Sequence, residues 1–152
     1  MAEFSLAIPI VLENEGGYVD DPNDPGGETN FGISKRSYPN VDIKGLTAAT
    51  ASAIYERDFW KFGGITDQGV ANKLFDSYVN MEHTAIKIAQ TIVAVTADGV
   101  YGPGTEAAIN YVGPEAFLAQ YRTQLEQHYR NIVRANPAEE EFLAGWLRRA
   151  AQ

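Results

Sequence analysis

The sequence predicts a mainly α-helical protein, one compact body with at most a very small β element. Three observations predict it. Apolar residues recur at steps of three and four through most of the chain, the pattern of helices with one buried face. Good N-cap residues or Gly-Pro and Asn-Pro pairs stand where several of those segments begin, and paired glycines close two of them. Extended character is confined to one short stretch, Thr29 to Ile33.

The first helix carries Phe4, Ile8, Val11 and Leu12 on one face, and Glu15 continues that stripe at its last turn. A carboxylate placed there is opposed twice: apolar neighbours desolvate its charge, and the C-terminal end of a helix is the negative end of its dipole. A carboxyl kept protonated near neutral pH can serve as a general acid. Gly16 and Gly17 can turn the chain sharply after it. Pro9 has no N–H and sits inside the segment, so the helix either starts near it or bends there. The next stretch, Asp20-Asp21-Pro22-Asn23-Asp24-Pro25-Gly26-Gly27-Glu28-Thr29-Asn30-Phe31-Gly32-Ile33, is dense in carboxylates, Pro and Gly. Loops of that composition commonly carry a site.

An acid needs a partner. In glycoside hydrolysis one carboxyl protonates the leaving oxygen, and a second activates water or attacks the sugar. Asp24 and Thr29 follow Glu15 in the order that supplies this chemistry, the hydroxyl helping to hold a water. Asp before Pro is also an ordinary turn former, which is the plainer reading of Asp24. Glu13, Asp20, Asp21 and Glu28 read as loop charges. A calcium loop starting at Asp20 fails, because its sixth and twelfth positions are Pro25 and Phe31.

Ser34 to Gly45 is polar, interrupted by Pro39, and reads as a connection. Thr47 is the expected N-cap of a helix reaching about Trp60, with Ala51, Ile54, Tyr55, Asp58 and Phe59 on its stripe. Its aromatics are expected in the core, with Trp60 the one that could face a sugar. Gly63-Gly64 closes it. Asp67 caps a helix carrying Val70, Ala71, Leu74, Phe75 and Tyr78. Asp76 and Asn80 share a face of that helix and are expected either to line the groove or, the plainer reading, to bond to the loop. His83 has no partner ligands at metal-binding spacing. A helix over about 84–95 leads to Ala97-Asp98-Gly99-Val100-Tyr101-Gly102-Pro103-Gly104-Thr105, where Asp-Gly and Gly-Pro mark tight turns and Thr105 can start a helix. Gly113-Pro114 opens a long helix to about Ala135 that packs Phe117, Tyr121, Leu125, His128 and Ile132. Asn136 and Pro137 suit the cap and first position of the last helix, with Glu139 completing a capping box. Phe142, Leu143, Trp146 and Leu147 are expected on its buried side, and Arg148 and Arg149 complement its dipole.

The 152 residues suit one domain with a full core, and 45% hydrophobic content argues against disorder. There are no cysteines and the formal net charge is −8. Seven acidic residues precede the first basic one, Lys35, which disfavours nucleic acid as a partner. No run is long enough to span a membrane, and Phe4 to Leu12 lacks the basic flank and cleavage site of a secretory signal.

The run Glu15-Gly16-Gly17-Tyr18-Val19 followed by Asp21-Pro22-Asn23-Asp24-Pro25-Gly26-Gly27-Glu28-Thr29-Asn30-Phe31-Gly32-Ile33 resembles the N-terminal signature of glycoside hydrolase family 108. Tyr55-Glu56-Arg57-Asp58-Phe59-Trp60, Asp67-Gln68, Ala71-Asn72, Leu74-Phe75-Asp76, Val79-Asn80 and Phe142-Leu143-Ala144-Gly145-Trp146-Leu147 are similar to later segments of that family. Asp98-Gly99 through Gly102-Pro103 to Thr105 resembles the turn element of peptidoglycan-binding modules. The resemblance implies a lysozyme-like fold and an N-acetylmuramidase of phage lysis or of bacterial secretion systems. Such an enzyme cleaves the β-1,4 bond from N-acetylmuramic acid to N-acetylglucosamine. It places Glu15 on the family's catalytic glutamate. Glu15, Asp24 and Thr29 nearly match the active-site spacing of phage T4-type lysozymes, with the threonine one residue closer, and that similarity favours inversion.

Residues 1–152 are therefore expected to form a single lysozyme-like domain, with the muramidase signature in 1–90 and a peptidoglycan-binding-like helical segment, 91–152, packed on it. Glu15, Asp24 and Thr29 are the catalytic candidates. Tyr18, Asn30 and Tyr101 are the substrate-contact candidates. No metal or organic cofactor is implied. The expected partner is the peptidoglycan glycan strand, with neither nucleic acid nor stable membrane insertion, and a monomer is expected. The protein is expected to be made in the cytoplasm and to act in the periplasm or wall after release or export. The rival readings are a lytic transglycosylase using the same glutamate and a wall-binding protein without catalysis.

Overall fold

The computed structural model describes all 152 residues. It is mainly helical, with seven α-helices and one two-stranded hairpin. The chain divides into two compact units, residues 4–60 and residues 1–3 with 61–152.

In the first unit, α1 (Phe4–Glu15) runs through Pro9 without interruption. Pro9 is exposed, so the carbonyl that loses its partner lies on the solvent side. Ala7, Ile8 and Val11 are buried, while Phe4 and Leu12 are half-buried. The hairpin pairs β1 (Thr29–Asn30) antiparallel to β2 (Ile33–Ser34), Thr29 opposite Ser34 and Asn30 opposite Ile33. Helix α2 (Ala48–Asp58) starts in a reciprocal cap: Thr47 Oγ1 accepts from the Thr50 amide at 3.2 Å, and Thr50 Oγ1 accepts from the Thr47 amide at 2.8 Å. Ala51 and Tyr55 are its buried residues. Asp58 is exposed instead of packed, because Arg57 and Tyr38 bond its carboxylate at the surface. Those donors hold its pKa down at about 2. Trp60 packs edge-on against Phe4, ring centres 5.7 Å apart.

In the second unit, Asp67 caps α3 (Gln68–Met81) by accepting from the Val70 amide at 2.9 Å. The periodicity predicts one buried face, but α3 is buried nearly all round, from Val70 to Tyr78 with only Asn72 half-exposed. Its charges are accordingly paired. Asp76 takes two bonds from Arg149, at 3.0 and 2.9 Å, and Lys73 Nζ donates to the Arg149 carbonyl at 2.7 Å. Arg149, in the last turn of its own helix, thus also serves a buried ion pair. Asn80 accepts from Tyr129 Oη at 2.8 Å. No buried side-chain nitrogen or oxygen lacks a partner.

Helices α4 (His83–Ile92), α5 (Pro103–Tyr111), α6 (Pro114–Ala135) and α7 (Glu140–Ala151) complete this unit. The Asp-Gly element between α4 and α5 is tied by one buried side chain. Gln90 Nε2 donates to Asp98 Oδ1, the Val100 carbonyl and Thr105 Oγ1, and Gln90 Oε1 accepts from the Gly99 amide. The turn role of this segment follows directly from those bonds. Residues Pro137–Glu139 form a 3-10 turn before α7, and Asn136 makes no side-chain cap bond. The expected Asn136–Glu139 capping box is therefore absent, because the tight turn places Glu139 itself at the start of α7. Phe142 is 49% exposed, against expectation. It is the outer member of a stack in which Trp146 lies between it and Tyr129, at 5.9 and 5.4 Å. No helix is long and apolar enough to cross a membrane.

Candidate active site

Glu15 ends α1 and is half-buried. Gly16 follows in the left-handed region (φ 76°) and its amide bonds back to the Leu12 carbonyl, the αL termination that glycine permits without a Cβ penalty. The chain reverses at once. Val19 then pairs with Thr29 through amide–carbonyl bonds of 2.8 Å in both directions. The loop start is thereby fastened to β1.

Between those points the acidic loop makes two local turns. Asp21 Oδ1 accepts from the Asn23 amide at 2.9 Å, and Asp24 Oδ1 accepts from the Gly26 amide at 2.7 Å. The Asp24 carbonyl also accepts from Gly27. Asp24 is exposed, and one carboxylate oxygen is engaged in shaping its own turn. The turn-forming reading of Asp24 therefore has a direct structural counterpart.

The tip of the hairpin reaches Glu15. Its two central residues, Phe31 and Gly32, both have positive φ, 52° and 79°, as a type I′ turn requires. A Cβ at residue 32 would stand 2.6 Å from Glu15 Oε2, 2.8 Å from Glu15 Cγ and 2.7 Å from Tyr55 Oη. The backbone of the turn, the carboxyl of α1 and the phenol of α2 thus meet at one point. Tyr55 Oη also donates to the Phe31 carbonyl at 2.6 Å. Helical spacing alone puts Tyr55 in the core and singles out nothing at Gly32. The signal available was Phe-Gly between two short β-forming pairs, a two-residue turn needing positive φ at a residue that does not favour it.

The remaining candidates fall as follows. Thr29 lies in β1, half-buried, between Val19 and Ser34. Tyr18 is 39% exposed. Its hydroxyl donates to Glu28 at 2.6 Å, and Lys44 Nζ lies 5.7 Å from its ring centre. The bond to Glu28 is the main cause that pushes the phenol up to about 12. Asn30 is buried, and its side-chain nitrogen donates to the Ile43 carbonyl at 3.1 Å, holding the connection after the hairpin. Tyr101 belongs to the other compact unit, half-buried, with its ring edge-on to Phe62 at 4.9 Å and its hydroxyl donating to Glu106 at 2.9 Å. His83 bonds the Gly99 carbonyl through Nδ1 at 3.0 Å. Burial pushes His128 below the ordinary histidine range, as for a packed ring.

Residues 8–81 match the family model described as glycosyl hydrolase 108, and residues 84–151 match the one described as a predicted peptidoglycan domain. Among solved structures, the chain is similar to that titled "Structure of Brucella abortus SagA", with 29% identity and a TM-score of 0.77, covering 97% of this chain and 89% of that one. No curated protein matches the sequence.

Proposed function

We propose that this chain, which carries a glycosyl hydrolase 108 domain followed by a predicted peptidoglycan domain, is an N-acetylmuramidase with Glu15 as its general acid. The observation that carries the reading is the placement of Glu15. Its carboxyl sits at the end of α1, in contact range of a turn backbone and a phenol, within the segment that matches the hydrolase family. In this reading Glu15 gives its proton to the glycosidic oxygen as the bond to the anomeric carbon breaks. N-acetylglucosamine leaves as the free alcohol. Water then adds to the oxocarbenium-like muramic acid and releases its proton to a carboxylate.

Asp24 is the candidate for that second carboxylate, through the oxygen not bonded to Gly26, and the Thr29 hydroxyl for orienting the water. Tyr18, exposed beside the Val19–Thr29 bridge, is suited to stack on a sugar. Asn30 acts one step back by fixing the hairpin. Tyr101 offers only part of a ring already packed on Phe62. The substrate is the glycan strand, and the setting is phage lysis or wall remodelling during secretion, with the protein acting in the periplasm or wall. Residues 1–152 serve as one functional body in which the C-terminal segment aids attachment to the wall.

A second reading has one observation in its favour. Because Asp24 is engaged in its own turn, the glutamate could act without an aspartate, as in a lytic transglycosylase. Mass spectrometry of the fragments released from purified peptidoglycan separates the two. Reducing muramic ends support the muramidase, anhydro ends support the transglycosylase, and wall binding without release defeats both.

A further inference from the structure

We propose that Tyr55 is a positioning residue that fixes the Glu15 carboxyl through the backbone of the Phe31–Gly32 turn; this rests on the reading of Glu15 as the acid. The turn has an unusual composition for its geometry. A two-residue turn with positive φ at both positions is normally Asn-Gly or Asp-Gly. Here the first position is Phe31, at φ 52°, a bulky residue for which that region is an outlier. Its own preference does not set the turn, so something outside must.

Tyr55 supplies that constraint. Its hydroxyl reaches from α2 to the Phe31 carbonyl at 2.6 Å, a short bond across 24 residues of sequence. The Tyr55 ring is 2% exposed and lies against Phe59 at 5.5 Å, so the donor is itself held. Fixing the Phe31 carbonyl fixes the peptide plane that it shares with the Gly32 nitrogen, because that plane is rigid. Gly32 is where the turn meets the carboxyl. Glu15 Oε2 and Tyr55 Oη both lie within 2.7 Å of the place a Cβ there would occupy. Tyr55 therefore sets the turn at the Phe31 carbonyl and stands beside the carboxyl at Gly32. A half-buried side chain at a helix end becomes one with a defined direction, which proton transfer needs.

The test is kinetic and uses the whole chain. Tyr55→Phe keeps the buried ring and its contact with Phe59 while removing the bond to Phe31. It is expected to lower kcat on soluble glycan fragments by about 10- to 100-fold, with KM within about twofold because the substrate-binding surface is untouched. Adding Phe31→Asn to that variant creates the Asn-Gly pair that holds such a turn unaided, and is expected to restore most of kcat. A purely structural loss at Tyr55 has no reason to be restored by a change in the turn. Glu15→Gln is measured in parallel. Wild-type kcat in Tyr55→Phe beside an inactive Glu15→Gln overturns the positioning role and leaves the acid in place. A loss that Phe31→Asn does not restore also overturns it. An active Glu15→Gln removes the acid reading on which the proposal rests.

Discussion

Gly32→Ala is the perturbation that probes the site most sharply, because two separable costs fall on one methyl group. The first is backbone cost. Residue 32 has φ 79°, where an L-residue costs about 1–2 kcal/mol. At about 2–4 °C per kcal/mol for a chain near this size, the melting temperature should fall by roughly 2–8 °C. The second cost is positional. The new Cβ would stand 2.8 Å from Glu15 Cγ and 2.6 Å from its Oε2. Carbon–carbon contacts settle near 3.5–4.0 Å, so the carboxyl must retreat by on the order of 1 Å. A displacement of that size can cost about 100-fold in rate.

Gly27→Ala is the matched control. Residue 27 has φ 73°, but its nearest neighbour would be Lys35 Cβ at an ordinary 3.7 Å. Gly27→Ala should melt earlier by about that backbone cost, and Gly32→Ala by more, because its Cβ also meets the held Tyr55 Oη at 2.7 Å. Only Gly32→Ala should lose clearing of peptidoglycan suspensions, measured well below both melting temperatures. Equal clearing by the two variants would show that Gly32 is needed for its φ alone and that its contact with Glu15 is idle.

Further outcomes follow from the second unit. Arg149→Met breaks the ion pair of the buried Asp76 carboxylate and should cost about 3–5 kcal/mol in urea unfolding, whereas Asp76→Leu with Arg149→Met should recover much of it. Gln90→Ala removes the partners of the Gly99 amide and Thr105 and should cost about 1–3 kcal/mol, with faster amide exchange over 98–105. Burial lowers Lys73 to about 8 from its ordinary 10.5. Between those values the unfolded chain binds more protons at this site than the folded one, so this residue's contribution to stability rises with pH across that window. Lys73→Met should remove that contribution, seen as a flatter or falling dependence of urea midpoint on pH from 8 to 10.

Much of the fold was legible because it is written locally. Thr47 and Asp67 both cap as their residue types suggest, and Glu15 lies at the end of its helix where the three-and-four spacing puts it. The illegible parts depend on residues far apart in sequence. Nothing near Arg149 says that it will pair with Asp76, and nothing near Tyr55 says that its hydroxyl will hold Phe31. Asp24 shows the limit of motif order. Its position relative to Glu15 suggests catalysis, while its own Pro-Gly surroundings build a turn that engages its carboxylate. Phe142 shows the limit of periodicity, which marks a face without saying how far the neighbouring helix extends to cover it.

On the proposed mechanism Glu15 donates the proton that releases the leaving sugar. The most direct measurement is digestion of purified peptidoglycan by the wild type and Glu15→Gln, with mass spectrometry of the soluble products. Fragments with reducing muramic ends are expected from the wild type and none above background from the variant, with wall binding retained by both. Reducing muramic ends released at a comparable rate by Glu15→Gln would rule Glu15 out as the acid.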